Sequence, residues 1–453
     1  MTLLSASETR LLNLERGGEP LHHGVVMLID AKPLRDSSGQ LNMDRIRDHV
    51  FSRLRRAPLS RQRVRRHRTL ANSRWVWRDD ADFDIAYHVR HSAVPFPGDD
   101  EHLLGMVNRI LANRLDLDRP LWELYMMEGV AGDRLAVVYK SHPLMVDNGA
   151  AVDVLTALVD NSDDVGAIEP DLWEPMPTAP PIEVAVELIG SSVAASGATT
   201  SALLDVADRW KRGAGKAVGA VTGTQPRLPW EFDITAHRRF ELVRVPLDRV
   251  VEAKQANGCS FNDVVLAACT EALRTFLESR DIPVDDRDIA ALIPLAVATD
   301  RERAQPGFTG GRLRMIEVDL PVGESEASAR LDRIAAQLSR VRADRRVLDA
   351  ATMVELGEFA APSLLSLASR TAAAIQDKLV IVNVPGSLSE RWFMCSPVLE
   401  IFPYLPIRSG RALTIATVSH GNQLGFGITG DRNRMPDLHH FARYLDHALD
   451  RLI

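Results

Sequence analysis

The sequence predicts an α/β protein made of two domains of about 200 residues each. The chain has 453 residues, more than a single hydrophobic core usually serves. Short apolar runs alternate with amphipathic helix patterns in both halves, as in α/β folds. A proline-rich segment, residues 175–181, interrupts this alternation near the middle. We therefore predict domains at residues 1–175 and 236–453, joined by a crossover linker at residues 176–235.

In the first half, residues 24–30 form a short apolar run ended by a turn, typical of a buried strand. Apolar residues recur at helical spacing over residues 41–54 and 103–117. Two further strands are predicted on either side of a Gly-Asp turn, over residues 121–129 and 135–140.

The crossover is rich in Ala, Ser, Gly and Val and has no strand-like alternation, so we predict one or two linker helices there. Residues 206–212 would also suit a lipid-contacting surface helix. The second half resumes the alternation. Its predicted strands are residues 240–245, 289–297, 314–320, 380–384, 398–402, 412–420 and 423–429, and its predicted helices are residues 247–258, 262–280, 326–343 and one from 437.

Composition excludes several classes of protein. Hydrophobic residues at 45% and charged residues at 25% are typical of a soluble globular chain, and a net charge of −7 argues against nucleic acid as a partner. Three cysteines without Cys-x-x-Cys spacing argue against a disulfide or zinc framework. The N-terminus lacks a signal-peptide pattern, and no apolar run is long enough to span a bilayer. We therefore expect a cytoplasmic protein, either free or peripheral on the inner membrane or on lipid droplets.

The most informative segment is residues 139–149, Tyr-Lys-Ser-His-Pro-Leu-Met-Val-Asp-Asn-Gly. It resembles His-His-x-x-x-Asp-Gly, the motif of the coenzyme A-dependent acyltransferase superfamily. In that motif the second His is the general base, and the Asp supports its loop. With His142 in the first His position, Asp147 has the correct spacing, Pro143 occupies the base position and Asn148 replaces the Gly.

A second register stays open. If Ser141 and His142 fill the two His positions, His142 remains the base, but one inserted residue is needed before Asp147. The ungapped, family-like spacing after Asp147 favours the first register. Its consequence is chemical: acyl transfer from a thioester to an alcohol needs a group that removes the hydroxyl proton. Proline has no such group, although Pro143 could also be a simple strand-to-loop proline beside a structural histidine.

Further motifs extend the resemblance along the chain, at residues 118–124, 261–266, 383–386 and 421–437. Their order and spacing resemble the bacterial wax ester synthase/diacylglycerol acyltransferase family. The resemblance implies two chloramphenicol-acetyltransferase-like domains with an inter-domain tunnel. It also implies acyl-CoA as co-substrate, no bound cofactor or metal, and diacylglycerol or a long-chain alcohol as acceptor.

The resemblance also assigns individual residues. Asn262 occupies the position of a family Asn and could donate a hydrogen bond to the thioester oxygen; alternatively, it could be the N-cap of a long helix. Asp147 would make a structural ion pair. Gly311 stands where the family usually has Asn, which is a further departure from the pattern.

A dense basic cluster could bind coenzyme A phosphates, anionic lipid or RNA, or could be a solvated loop that pairs with acidic residues of this chain. A lipid surface ranks first among the functional interpretations, and the scarcity of aromatic residues counts against RNA. We interpret the pair His22-His23 as a strand edge near the tunnel and His439-His440 as a solvated helix face. The cluster consists of Arg53, Arg55, Arg56, Arg61, Arg63, Arg65, Arg66 and Arg68.

Two hypotheses follow from the sequence. The first is an acyl-CoA-dependent O-acyltransferase of triacylglycerol or wax ester synthesis, impaired at the base position. The second is a catalytically silent paralogue that binds acyl-CoA or lipid, or that partners an active family member.

Overall fold

A computed structural model describes most of the chain. The described residues are 2–18, 20–68, 73–145, 154–164, 171–176, 227–297, 312–343, 365, 368–370, 378–387 and 389–452. The strands are β1 (Thr2–Leu3), β2 (His23–Asp30), β3 (Gln62–Arg68), β4 (Ser73–Asp79), β5 (Val89–Ala93), β6 (Trp122–Val130), β7 (Arg134–Ser141), β8 (Val159–Asp160), β9 (Arg238–Pro246), β10 (Ile289–Val297), β11 (Arg312–Leu320), β12 (Leu379–Val384), β13 (Trp392–Phe393), β14 (Ser396–Tyr404), β15 (Leu413–His420) and β16 (Gln423–Asp431). The α-helices are α1 (Ala6–Arg16), α2 (Met43–Arg53), α3 (Ile85–His88), α4 (Asp100–Ala112), α5 (Val154–Leu158), α6 (Leu247–Asn257), α7 (Phe261–Glu278), α8 (Ala327–Ala343) and α9 (Leu438–Ala448).

Two large mixed sheets confirm the predicted α/β class with two sheet-rich domains. The first sheet has the order β5-β6-β7-β2-β14-β13-β8, and the second has the order β11-β10-β12-β15-β16-β9. A small antiparallel sheet, β1-β4-β3, lies beside the first. The predicted crossover helices fall in residues 177–226, outside the described residues.

The two halves of the chain interlock through the first sheet. Strand β14 comes from the second half, yet it pairs antiparallel with β2, from Val398 opposite Ile29 to Tyr404 opposite Gly24. Strand β13 continues this sheet and pairs with β8. An apolar alternation in the sequence predicts a strand but does not say which sheet it joins. Consequently, a division of the chain at residue 236 does not separate the strands of the two sheets.

Strand β12 separates two hydrophobic cores. Its side chains alternate, so Val380, Val382 and Val384 pack in a core with Leu144 and Met145 of the motif segment. Leu379 and Ile381 face the opposite core, which lies between the second sheet and helices α7, α8 and α9. The start of the motif segment is therefore buried between the two sheets.

Several elements differ from those that the sequence predicted. The helix predicted at residues 103–117 is α4, which begins after the N-cap Asp99 and ends at Ala112, where Asn113 turns extended. Helix α1 was not predicted, although Ser5 and Glu8 form a capping box at its start. Residues 62–68 of the basic cluster form strand β3, not a loop. Because arginines occupy most positions of β3, its sequence lacks the apolar alternation of a strand, and its pairing with β4 identifies it as one.

Candidate active site

Three motif segments meet at one end of the first sheet. Strand β7 lies between β2 and β6, which places Ser141 opposite both His23 and Trp122. His142 follows Ser141, and its backbone N–H donates to the Leu121 carbonyl at 2.9 Å. Segments more than 100 residues apart in the sequence therefore form one buried corner around His142.

The His142 side chain is completely buried, and the hydrogen bond at its ring determines its tautomer. The ring Nδ1 accepts a hydrogen bond from the Leu144 backbone N–H at 3.1 Å. A neutral imidazole accepts only at its unprotonated nitrogen, so the proton of His142 resides on Nε2. Burial lowers the pKa of His142 to about 3, helped by nearby His23 and Arg370. The ring is therefore neutral at pH 7, and its lone pair is occupied.

A buried carboxyl group lies next to this ring. Oε2 of Glu15, in the last turn of α1, is 3.8 Å from His142 Nε2, which is longer than a hydrogen bond. The same carboxyl accepts a hydrogen bond from the Leu21 N–H. Burial raises the pKa of Glu15 to about 7, while the Leu21 N–H and the cations Arg114 and Lys140 oppose that rise. Glu15 is therefore a titratable group beside His142 with a pKa near neutrality.

Pro143 begins a tight 3₁₀ turn, Pro143–Met145, at the end of β7. The Met145 N–H closes this turn by donating to the His142 carbonyl at 2.9 Å. Proline suits the first position of a helical turn because that position needs no donor. Pro143 is buried and offers no group that could accept a proton. Asp147 and Asn148 lie outside the described residues.

Lys140 fixes the strand that carries His142. Its side chain is fully buried, and its Nζ lies 3.1 Å from Glu123 Oε2. The same Nζ donates to the carbonyls of Ile110 at 3.1 Å and Asn113 at 2.9 Å. These three acceptors match the three donors of an ammonium group. Burial lowers the pKa of Lys140, and the Glu123 carboxylate opposes this shift. Lys140 thus connects β7 to β6 and to the C-terminal end of α4.

Asn262 is not the N-cap of its helix, which corrects one of its two interpretations. Ser260 caps α7 and forms a capping box with Asp263, so Asn262 lies in the first turn. The side-chain Oδ1 of Asn262 accepts a hydrogen bond from the side-chain Nδ2 of Asn383, and this bond joins two motif segments beside a small cavity. Asn383 neighbours Val382 and Val384 in β12, so it projects to the face opposite the His142 turn. The oxyanion role of Asn262 remains a prediction.

The basic cluster forms an ion-pair network rather than a free charged loop. Arg61 is buried and stacks over Phe51 and Trp173. Arg55 and Arg66 are exposed, whereas the side chain of Arg68 lies outside the described set. The aspartate pairs are Arg53–Asp160 at 2.8 Å, Arg61–Asp171 at 2.5 Å, Arg63–Asp80 at 3.0 Å and Arg65–Asp118 at 2.5 Å. Arg56 also lies 3.8 Å from Asp160.

The two histidine pairs occupy different environments. His22 is buried, its Nε2 lies 2.8 Å from the Leu111 carbonyl, and burial holds its pKa well below the usual value. His23 is also buried. The rings of His439 and His440 contact each other on α9, where His439 is exposed. Among the described side chains, no group of three His, Cys, Asp or Glu residues could hold a metal ion.

Comparison with known proteins places this arrangement in a family. The model of the wax ester synthase/diacylglycerol acyltransferase catalytic domain matches residues 4–265, and the model of the family's C-terminal domain matches residues 309–453. The chain belongs to the wax ester synthase/diacylglycerol acyltransferase family.

Relatives support this membership over nearly the full length. A putative diacylglycerol O-acyltransferase of Mycobacterium tuberculosis (strain H37Rv) is 28% identical over 465 residues, covering 99% of both chains. The probable diacylglycerol O-acyltransferase tgs1 of the same strain is 29% identical over 416 residues, covering 89% of this chain and 86% of that protein.

Solved structures show the same fold. The wax ester synthase/diacylglycerol acyltransferase of Marinobacter aquaeolei VT8 is similar over 100% of this chain and 98% of its own, with a TM-score of 0.68 and 23% identity. A starter condensation domain of rhizomide synthetase, in complex with C8-CoA and Leu-SNAC, has a TM-score of 0.55 at 12% identity, covering 100% of this chain and 94% of its own.

In this member of the wax ester synthase/diacylglycerol acyltransferase family, two residues near His142 were not predicted from the sequence, namely Glu15 and Lys140. No motif surrounds Glu15. The one feature that could have indicated it is its place in the last turn of a capped amphipathic helix, where the helix dipole favours cations over carboxylates. Lys140 was noted only as the end of a strand. A lysine at the end of an apolar run is rarely buried without a partner, and Glu123 in the neighbouring motif is that partner.

No helix in the described part of the chain is both long and apolar enough to cross a membrane.

Proposed function

We propose that this protein is an acyl-CoA-dependent O-acyltransferase that acylates diacylglycerol or a long-chain alcohol, and that its catalysis is slow. The observation that carries the proposal is the match of both family models together with the convergence of the motif segments at His142. The names of the mycobacterial relatives support diacylglycerol as the acceptor. We place the substrate tunnel between the two sheets, near the buried Pro143–Met145 turn.

The reaction identifies what the site lacks. The acceptor oxygen forms a bond to the thioester carbon, the carbon–sulfur bond breaks, and the thiolate leaves as coenzyme A. The acceptor must lose its proton, and a base with a pKa near the working pH takes it most efficiently. Pro143 cannot take it. Nδ1 of His142 is occupied by the Leu144 N–H, and its Nε2 already carries a proton. The proposed site therefore holds no free histidine lone pair at either motif position.

The absence of a free histidine lone pair at the motif positions also favours the second candidate function. This is a silent paralogue that binds acyl-CoA or lipid, or that partners an active family member. A site that keeps its burial and hydrogen bonding, but has no histidine that can accept the proton, can still bind the donor. The two candidates differ in turnover: the slow enzyme produces ester and free coenzyme A, whereas the silent paralogue binds without release of thiol.

An acyl-transfer assay tests the proposal. Purified protein is incubated with a long-chain acyl-CoA and either dioleoylglycerol or hexadecanol, and both ester and free thiol are quantified. We expect slow transfer that His142→Ala changes by less than about tenfold, well below the about 10²–10⁴-fold typical of a general base. His447→Ala, at an exposed position, is the matched control. Fast transfer abolished by His142→Ala would show that His142 is the base and that the second register is correct.

The exposed members of the basic cluster lead to a proposal about membranes. We propose that Arg55 and Arg66 contact anionic lipid, because the side chains of both arginines are exposed to solvent. Arg55→Gln/Arg66→Gln should weaken flotation with anionic vesicles by about fivefold per arginine, and salt should abolish wild-type flotation. Arg333→Gln/Arg340→Gln on α8 removes the same charge elsewhere and serves as the control. Unchanged flotation of the first variant would refute a lipid role for these arginines.

A further inference from the structure

A cleft opens along the seam between α4 of the first half and β9 of the second. Asn108 of α4 bridges this seam, since its side chain accepts a hydrogen bond from the Phe240 N–H at 2.6 Å. One part of the cleft has a volume of about 740 Å³, and an adjoining part of about 430 Å³ shares Ala112 and Arg238 with it. These volumes are within the range of pockets that hold ligands of drug size.

Arginines dominate the walls of this cleft. Arg109, Arg238 and Arg432 line the larger part, and Arg114 lines the smaller one. Arg114 donates to the Gly18 carbonyl, and Arg238 donates to the Thr235 carbonyl at 2.6 Å. Backbone carbonyls are neutral, so these bonds leave the positive charges in place. Among the described residues, no carboxylate lies within 4.0 Å of any of these four guanidinium groups.

The acidic residues of the cleft do not balance these charges. Glu241 lies 2.7 Å from Arg239, a fifth arginine of the wall, and that pair is neutral overall. Glu101 is the remaining carboxylate among the described residues of the wall. Among the described residues of the wall, four arginines against one glutamate leave a net positive charge. A concave wall with low-dielectric flanks concentrates such a potential and attracts anions.

We infer that this cleft binds the phosphate groups of coenzyme A. The inference rests on the proposed function, which makes acyl-CoA the donor. Coenzyme A carries a diphosphate and a 3′-phosphate at its adenosine end, and guanidinium groups bind phosphate oxygens in bidentate geometry. Arginines from both halves of the chain would contact one ligand, because Arg109 and Arg114 precede the crossover whereas Arg238 and Arg432 follow it.

The cleft lies next to the corner around His142. Gly17, Gly18 and Pro20 line its smaller part, and they directly follow the last turn of α1, which holds Glu15. Arg114 of the same wall acts electrostatically on the Glu15 carboxyl, whose Oε2 is 3.8 Å from His142 Nε2. With its phosphates bound in this cleft, the donor would extend its thioester arm toward the end of β7, where His142 lies.

Calorimetric titration with coenzyme A tests the inference. We expect Arg109→Gln/Arg432→Gln to weaken binding by about tenfold per arginine, because a hydrogen bond to a charged group contributes that much. Both side chains are exposed, so the variant should fold, and its melting temperature verifies this. Arg333→Gln/Arg340→Gln is the matched control, because α8 packs on α7 and β11, at the other edge of the second sheet. Dephospho-coenzyme A should bind wild type less tightly and lose less affinity in the cleft variant.

The outcomes separate this inference from the proposed activity. Equal coenzyme A binding by wild type and the cleft variant would overturn the inference and leave acyl-CoA as donor. Loss of binding in Arg55→Gln/Arg66→Gln instead would move the phosphates to the basic cluster and also overturn it. If only the cleft variant loses affinity for coenzyme A, the inference is upheld. If the wild type also shows no acyl transfer, the silent paralogue is favoured. A wild type that does not bind coenzyme A would refute both.

Discussion

Replacing Pro143 with histidine is expected to raise the acyl-transfer rate by about 10²–10⁴-fold, the usual contribution of a positioned general base. In the first register, the substitution puts a titratable ring at the position that the resemblance assigns to the general base. In the same register, adding Asn148→Gly supplies the glycine of the motif and should bring the gain closer to the upper end. The measurement is the initial rate of ester formation with saturating acyl-CoA.

Pro143→Ala is the matched control, since it removes the ring of proline without supplying a base. It should leave the rate unchanged, which separates restored proton transfer from a relaxed backbone. Histidine is larger than proline and the site is buried, so thermal melting of each variant must accompany the rates. If the folded Pro143→His protein gains no activity over Pro143→Ala, the silent-paralogue function is favoured.

Lys140→Met is expected to lower the free energy of unfolding by about 3–5 kcal/mol, the cost of breaking a buried ion pair from one side. The substitution leaves Glu123 buried without its ammonium partner, while its contacts with Arg90 and Tyr125 remain. It also leaves the carbonyls of Ile110 and Asn113 without their donor. Urea unfolding at pH 7 measures the loss.

A double-mutant cycle with Glu123→Gln isolates the pair, and the double variant should lose less stability than the sum of the two single variants. Lys378→Met is the surface control. The side chains of Lys378 and its partner Glu317 are about one-third exposed. The free energy of unfolding should therefore fall by only about 0–1 kcal/mol in this variant. A loss below about 1 kcal/mol for Lys140→Met would show that the buried pair does not support the corner around His142.

Sequence patterns located most strands and helices because their signals are local. Strand β10 has the predicted bounds, Ile289–Val297, because a continuous apolar run that follows the charged pair Arg287-Asp288 is a strong local strand signal. Helix α6 begins where predicted and ends within one residue of the predicted position, because Gly258 adopts a left-handed φ of 60° just beyond it. Strand β3 was missed because its arginines are held by aspartates distant in sequence.

By itself, the sequence determined the family and the absence of an ionisable group at residue 143, because residue type and motif spacing are properties of the chain alone. Only the tertiary structure decided that the Leu144 N–H occupies the lone pair of His142 and that Glu15 lies beside its other nitrogen. It also decided that arginines from both halves face one cleft. Such facts depend on how distant segments pack, and the strand exchange between the two halves leaves no local trace in the sequence.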